Sequence, residues 1–180
     1  MAIFTKHEFQ AVALDISRKK GQQFVNETRT FSESTARTSV FLSHSHHDKV
    51  LIAQAKTFFE GLGIAVYVDW ADSTMPEQTN GLTAQKIKRQ IQKNDKFVLL
   101  ATNNAISSKW CNWEVGIGDT YKLLSDKICI LPLADNRNTW EGNEYLQIYP
   151  RIEASELLQD YFKVIYPDGR SVSINDWLNK

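Results

Sequence analysis

Short, continuously apolar runs recur along the chain, and helically spaced apolar positions separate them. Ser39–Ser43, Ile64–Val68, Phe97–Ala101 and Ile128–Leu133 are such runs, each the length of a strand buried on both faces. Leu51, Ala55, Phe58 and Leu62 mark a helix face after the first run, and Gly61 and Gly63 supply its stop. Ala84, Ile87 and Ile91 mark the next helix. Residues 134–158 are less regular, Tyr161–Tyr166 predicts a last short strand, and Ile174–Leu178 a closing helix. Strands alternating with helices predict an α/β fold with a central parallel β-sheet flanked by helices. Upstream, Phe9, Val12, Ala13 and Ile16 predict a short extra N-terminal helix that packs on the main domain. A small, polar linker at 32–39 follows it, so residues 1–37 stand as helix and linker before a domain at 38–180.

Such a sheet places ligands beyond the carboxyl ends of its strands. Three loops leave those ends: Ser43–Asp48, Asp69–Asn80 and Thr102–Ser108. The second is long for a strand-to-helix connection and holds Trp70, Met75 and Pro76, as a lid, a partner-binding loop or a surface excursion would.

The helix after the third loop carries the most informative position. With Ser107 or Ser108 as its N-cap, Trp110, Trp113, Ile117, Tyr121 and Leu124 share one face, which this pattern turns toward the core. Glu114 lies about 20° beyond the edge of that face and is too far along to cap the first turn. A carboxylate beside two indoles is costly unless it is paired, protonated or open to a cleft. The plain alternative is a glutamate at the margin that reaches solvent.

Composition narrows the function classes. The 21 basic and 21 acidic residues cancel, so overall charge draws the chain to neither nucleic acid nor anionic lipid. No run approaches the roughly 18 apolar residues of a membrane span, and no secretory signal is visible. Cys111 and Cys129 both sit in apolar contexts and are expected as reduced core thiols. The expectation is a soluble, cytoplasmic protein.

His44-Ser45-His46-His47-Asp48 suggests a metal site, but Lys49 replaces the final ligand of a His-x-His-x-Asp-His run, and His7 is the one other histidine. No metal is therefore expected. A solvated loop capping the following helix through Ser45 or Asp48 is the plain reading; a substrate pocket lined by these side chains is the functional one. Neither a phosphate loop nor a G-x-S-x-G elbow is present, which argues against nucleotide-loop and triad-hydrolase chemistry.

From about Thr38 to Tyr166 the chain resembles a Toll/interleukin-1 receptor (TIR) domain, a flavodoxin-like fold. Val40-Phe41-Leu42-Ser43-His44-Ser45 is similar to that family's first box, and Val66–Asp69 with the loop to Asn80 to its second strand and mobile loop. The most specific likeness is Ser107-Ser108-Lys109-Trp110-Cys111-Asn112-Trp113-Glu114, which resembles the S-x-W-C-x-x-E signature. The family holds adaptors that signal by self-association and enzymes that cleave NAD+. The resemblance implies NAD+ as a substrate, with no separate cofactor, and Glu114 as the catalytic residue. It is closest in kind to bacterial anti-phage TIR proteins, whose ADP-ribose-type product is sensed by a separate effector. It also implies self-association through residues 70–80. Loop position adds Ser43, His44, His46, Asp69, Trp70 and Trp110 as substrate-binding candidates. A non-enzymatic TIR adaptor and a nucleoside deoxyribosyltransferase-like enzyme, also built on a flavodoxin-like sheet with a catalytic Glu, are the alternatives.

Overall fold

The computed structural model describes residues 3–26, 38–75, 79–136, 140, 142–155 and 162–180. Among these residues, eight strands form one sheet in the order β3-β2-β4-β5-β6-β7-β8, with β1 pairing β5. These are β1 Phe4–Thr5, β2 Ser39–Ser43, β3 Ala65–Tyr67, β4 Lys96–Ala101, β5 Ile128–Ala134, β6 Arg151–Ala154, β7 Phe162–Ile165 and β8 Ser171–Ser173. The strands from β3 across to β6 are parallel, as is β1 beside β5, whereas β6, β7 and β8 pair antiparallel. The sheet is therefore mostly parallel with an antiparallel edge.

The β2, β4 and β5 side chains alternate between two cores, which is why these strands are apolar throughout. Val40, Leu42, Val98, Leu100, Cys129 and Leu131 face one layer with Phe9, Phe58 and Trp177. Phe41, Phe97, Leu99, Ile128 and Ile130 face the other, with Ile87, Ile91, Cys111 and Val115. The first layer holds α1 Lys6–Asn26, α2 Lys49–Gly61 and α6 Ile174–Asn179; the second holds α3 Gly81–Lys93 and α5 Lys109–Lys122.

The N-terminal helix packs as expected but is longer than its apolar spacing predicts. Phe9 and Ala13 are buried, and a Cβ added at Gly61 would lie 2.7 Å from Ile16 Cγ2, so α1 and α2 meet at close range. Residues 27–37, which hold most of the predicted linker, lie outside the described residues. Among the described residues, three strands and one α-helix have no counterpart in the sequence pattern: β1, β6, β8 and the five-residue helix α4 Asn103–Ser107.

The buried face of α5 is the main correction. Trp110, Trp113, Tyr121 and Leu124 are exposed, Leu124 fully. The face toward the sheet is Cys111, Glu114, Val115, Gly118 and Lys122, a spacing of i, i+3, i+4, i+7 and i+11. A Cβ at Gly118 would stand 3.0 Å from the Phe97 ring and 3.3 Å from Ile128 Cδ1. The helix thus lies too close to the sheet for indoles to fit beneath it. Lys122 reaches past this face to the Gln92 and Asn94 carbonyls, at 3.2 and 2.5 Å.

Candidate active site

The parallel strands end at a cleft of about 380 Å³ whose walls include His44, His46, Asp69, Asn104, Trp110 and Glu114. Ser108 caps α5, its hydroxyl accepting from the Cys111 N–H at 3.3 Å. The cap fixes where the helix begins, so Glu114 falls one and a half turns in, on the sheet-facing side.

Glu114 is 5% exposed and touches the cleft from its floor. The Ser43 hydroxyl, at the end of β2, donates to Glu114 Oε2 at 2.5 Å. Burial pushes the Glu114 carboxyl up to about 8; the Ser43 hydrogen bond pulls the other way, and the Asp69 carboxylate adds to the rise. Cys111, one turn earlier, is held neutral by burial, its thiol pushed up to about 12.

His44 is fixed through its Nδ1. Its Nδ1 lies 2.8 Å from the Leu42 carbonyl oxygen, which can only accept, so Nδ1 carries the proton. Nε2 then points toward Asp69 Oδ1 at 3.2 Å. Burial is the largest influence on this imidazole and lowers its pKa, while the Leu42 carbonyl and Asp69 oppose the shift. The His46 ring is mostly exposed, with Nε2 4.0 Å from Asp69 Oδ2. Asp69, at the exit of β3, therefore lies beside both histidines at the exit of β2.

Asp48 behaves unlike the helix cap the sequence allows. Ser45 caps a 3-10 turn at His46–Asp48 instead, and the Asp48 carboxylate is buried. Thr102 Oγ1 donates to Asp48 Oδ2 at 2.5 Å and Asn104 Nδ2 to Oδ1 at 2.8 Å. Thr102 Oγ1 also accepts the Ala105 N–H at 3.1 Å, so the start of α4 is locked to the exit of β2.

Five of the seven candidate residues line this cleft: His44, His46, Asp69, Trp110 and Glu114. Ser43 does not line it but supports Glu114 from below. Trp70 sits half-exposed on a 3-10 turn, Asp69–Ala71, and is not among the lining residues. The sequence pattern overlooks Asn104, Thr83 and Ile87, which also line the cleft. Thr83 belongs to a capping box with Asn80 at the start of α3, a signal legible in sequence; Ile87 is indistinguishable there from any core position.

The TIR domain model matches residues 40–160. The chain belongs to the TIR domain family. The matched span of this TIR domain contains all seven candidate residues and leaves β1, α1, β7, β8 and α6 outside it. A similar protein from Bacillus cereus (strain MSX-D12), named "Probable 3' cyclic ADP-D-ribose synthase ThsB'", is 28% identical over 148 residues, covering 78% of this chain and 75% of the relative. Another, from Cytobacillus dafuensis, is named "Putative cyclic ADP-D-ribose synthase TIR2" and is 26% identical over 111 residues. That alignment spans 60% of the TIR protein described here and 27% of the relative. No helix among the described residues is long and apolar enough to cross a membrane.

Proposed function

We propose that this TIR domain cleaves the bond between nicotinamide and ribose in NAD+ and releases a cyclic ADP-ribose-type product, with Glu114 as the catalytic residue. The observation that carries the proposal is a single buried carboxyl on the cleft floor, hydrogen-bonded to Ser43 and lying in the Trp110–Glu114 signature. The names of both relatives support the same reading.

The chemistry needs little more than this. Nicotinamide departs with the electron pair of the C1′–N bond and becomes neutral, so no acid has to protonate it. The ribose left behind is an oxocarbenium-like cation, and an adjacent carboxylate opposes its charge. Glu114 is mostly protonated in the empty cleft at neutral pH. The pyridinium charge of NAD+ favours its ionised form, and the carboxylate then meets a growing cation in a site of low dielectric. A hydroxyl or adenine nitrogen of the same molecule that captures C1′ yields a cyclic isomer and one proton. Water yields ADP-ribose and one proton. Half-exposed Trp110 borders the cleft and limits how freely water reaches it.

His44 Nε2 is suited to accept from a ribose hydroxyl, His46 to meet ribose or phosphate oxygens, and Trp70 to a base approaching over the loop. Self-association through residues 70–80 would bring such a loop to a neighbouring cleft. A separate effector that senses the product, within anti-phage defence in the cytoplasm, completes the proposed role.

The test is NAD+ incubated at high protein concentration, with products separated by chromatography and mass spectrometry, beside Glu114→Gln. Nicotinamide with a cyclic ADP-ribose isomer or ADP-ribose, absent in the variant, is the expected result. Intact NAD+ with both proteins, even when assembly is forced by crowding, would return the chain to the adaptor class.

A further inference from the structure

The Asp48 network fixes the orientation of a cleft-lining amide, and we infer that Asn104 Oδ1 accepts a hydrogen bond from an N–H group on a planar heteroaromatic part of the ligand. The inference rests on the NAD+ reading for its choice of probes. The hydrogen bonds leave one arrangement. The Asp48 carboxylate can only accept, so the Thr102 hydroxyl, which also accepts the Ala105 N–H, gives its proton to Oδ2. Asp48 Oδ1 accepts as well, so the atom of Asn104 that faces it at 2.8 Å is the amide nitrogen.

With Nδ2 directed at Asp48, Asn104 Oδ1 turns the other way and has no partner among the described residues. Asn104 is exposed and lines the cleft, so this oxygen meets whatever the cleft holds. Trp110 lines the same cleft, six residues on, and offers an indole on which a ring can stack. A flat ring stacked there presents its edge, and the edge group that complements a carbonyl oxygen is an N–H donor. NAD+ carries two: the nicotinamide carboxamide and the 6-amino group of adenine. Asn104 is thus a specificity-determining residue. Asp48, 6% exposed and away from the ligand, is a positioning residue that keeps the amide from flipping.

The test measures binding, so it does not depend on turnover. In a Glu114→Gln background, dissociation constants are measured by calorimetry for three probes: NAD+, 3-acetylpyridine adenine dinucleotide, which lacks the carboxamide donor, and nicotinamide hypoxanthine dinucleotide, which lacks the 6-amino group. Each is measured with Asn104 intact, with Asn104→Ala and with Asp48→Asn. The expected result is that one analogue binds about five- to tenfold more weakly than NAD+ when Asn104 is intact, and that the difference vanishes in Asn104→Ala. Which analogue responds tells whether the nicotinamide or the adenine end meets Asn104. Asp48→Asn can donate to Asn104 and let the amide turn over, so it should reduce the same discrimination while the fold is kept. A purely structural Asp48 would weaken all three probes alike. Equal ratios in all three backgrounds, or no binding of any probe, would overturn the inference. Turnover of NAD+ by the unmutated protein with equal ratios would overturn this inference and leave the proposed function standing.

Discussion

Ser43 and Glu114 stand 71 residues apart in the chain and share a 2.5 Å hydrogen bond under the cleft. One closes the first central strand and the other projects from a helix on the sheet's second face, so only the folded domain joins them. The bond offsets part of the cost of burying the carboxyl, and it aims Oε2 at the strand so that Oε1 is left for the cleft. Ser43→Ala removes the influence that lowers the Glu114 pKa. The pH profile should move to the alkaline side, with kcat/KM at pH 7 down about tenfold. A profile that keeps its midpoint would deny Ser43 this role.

Glu114→Gln keeps the shape of the side chain and removes the charge. NAD+ turnover should fall at least about a thousandfold, with the far-ultraviolet circular dichroism unchanged. A folded variant with full activity would remove Glu114 from the mechanism.

In the proposed mechanism the ionised Glu114 is the working form, so kcat/KM, which reports the free protein, should climb with pH and level off above about 8. Stability runs the other way. The carboxyl has a value near 4.5 when unfolded and about 8 when folded, so between them the folded state binds more protons. Stability contributed by this group is present below pH 4.5 and is lost as pH rises through 8. The loss is on the order of a few kcal/mol. Glu114→Gln should therefore melt several degrees above the parent at pH 9 and close to it at pH 5. Equal melting differences at both values would contradict a buried, protonated acid.

Two neighbouring glycines should respond oppositely to alanine. At Gly118 the new methyl would press on Phe97 and Ile128, whereas at Gly116 it meets open space. Gly118→Ala should cost about 1–2 kcal/mol even after its gain in helix propensity. Gly116→Ala should gain up to about 1 kcal/mol. Urea titrations of the two variants check both signs.

Those glycines show where sequence and structure part. Local sequence makes them equal, yet Gly118 packs closely against the sheet and Gly116 does not. The same proximity explains the reversed face of α5. Aromatic periodicity is the usual mark of a core face, but a helix this near its sheet can bury only small or slender side chains, Cys111, Val115 and Gly118 among them. Glu114 was legible because of its neighbours in sequence; that it belongs to the buried face was not. The central strands were legible because both of their faces are covered, so every residue is apolar. β6 and β8 lack a local apolar signature, with Arg151 and Glu153 in one and Ser171 and Ser173 in the other, and their pairing is set by long-range register that local pattern does not encode. Asn104 escaped notice for a similar reason: its orientation depends on Asp48, 56 positions earlier.

The outward-facing indoles of α5 give the domain its own optical probe. Trp110 and Trp113 meet edge to face at 5.4 Å near the cleft, both more than a third exposed, while Trp177 is sealed in the opposite core. Emission from the first pair should be red-shifted and open to quenching by a stacked nicotinamide ring, and that from Trp177 blue-shifted and indifferent. With Trp70 and Trp140 replaced by Phe, arrival of a ligand in the cleft can thus be followed by fluorescence without a label, the core tryptophan serving as an internal standard.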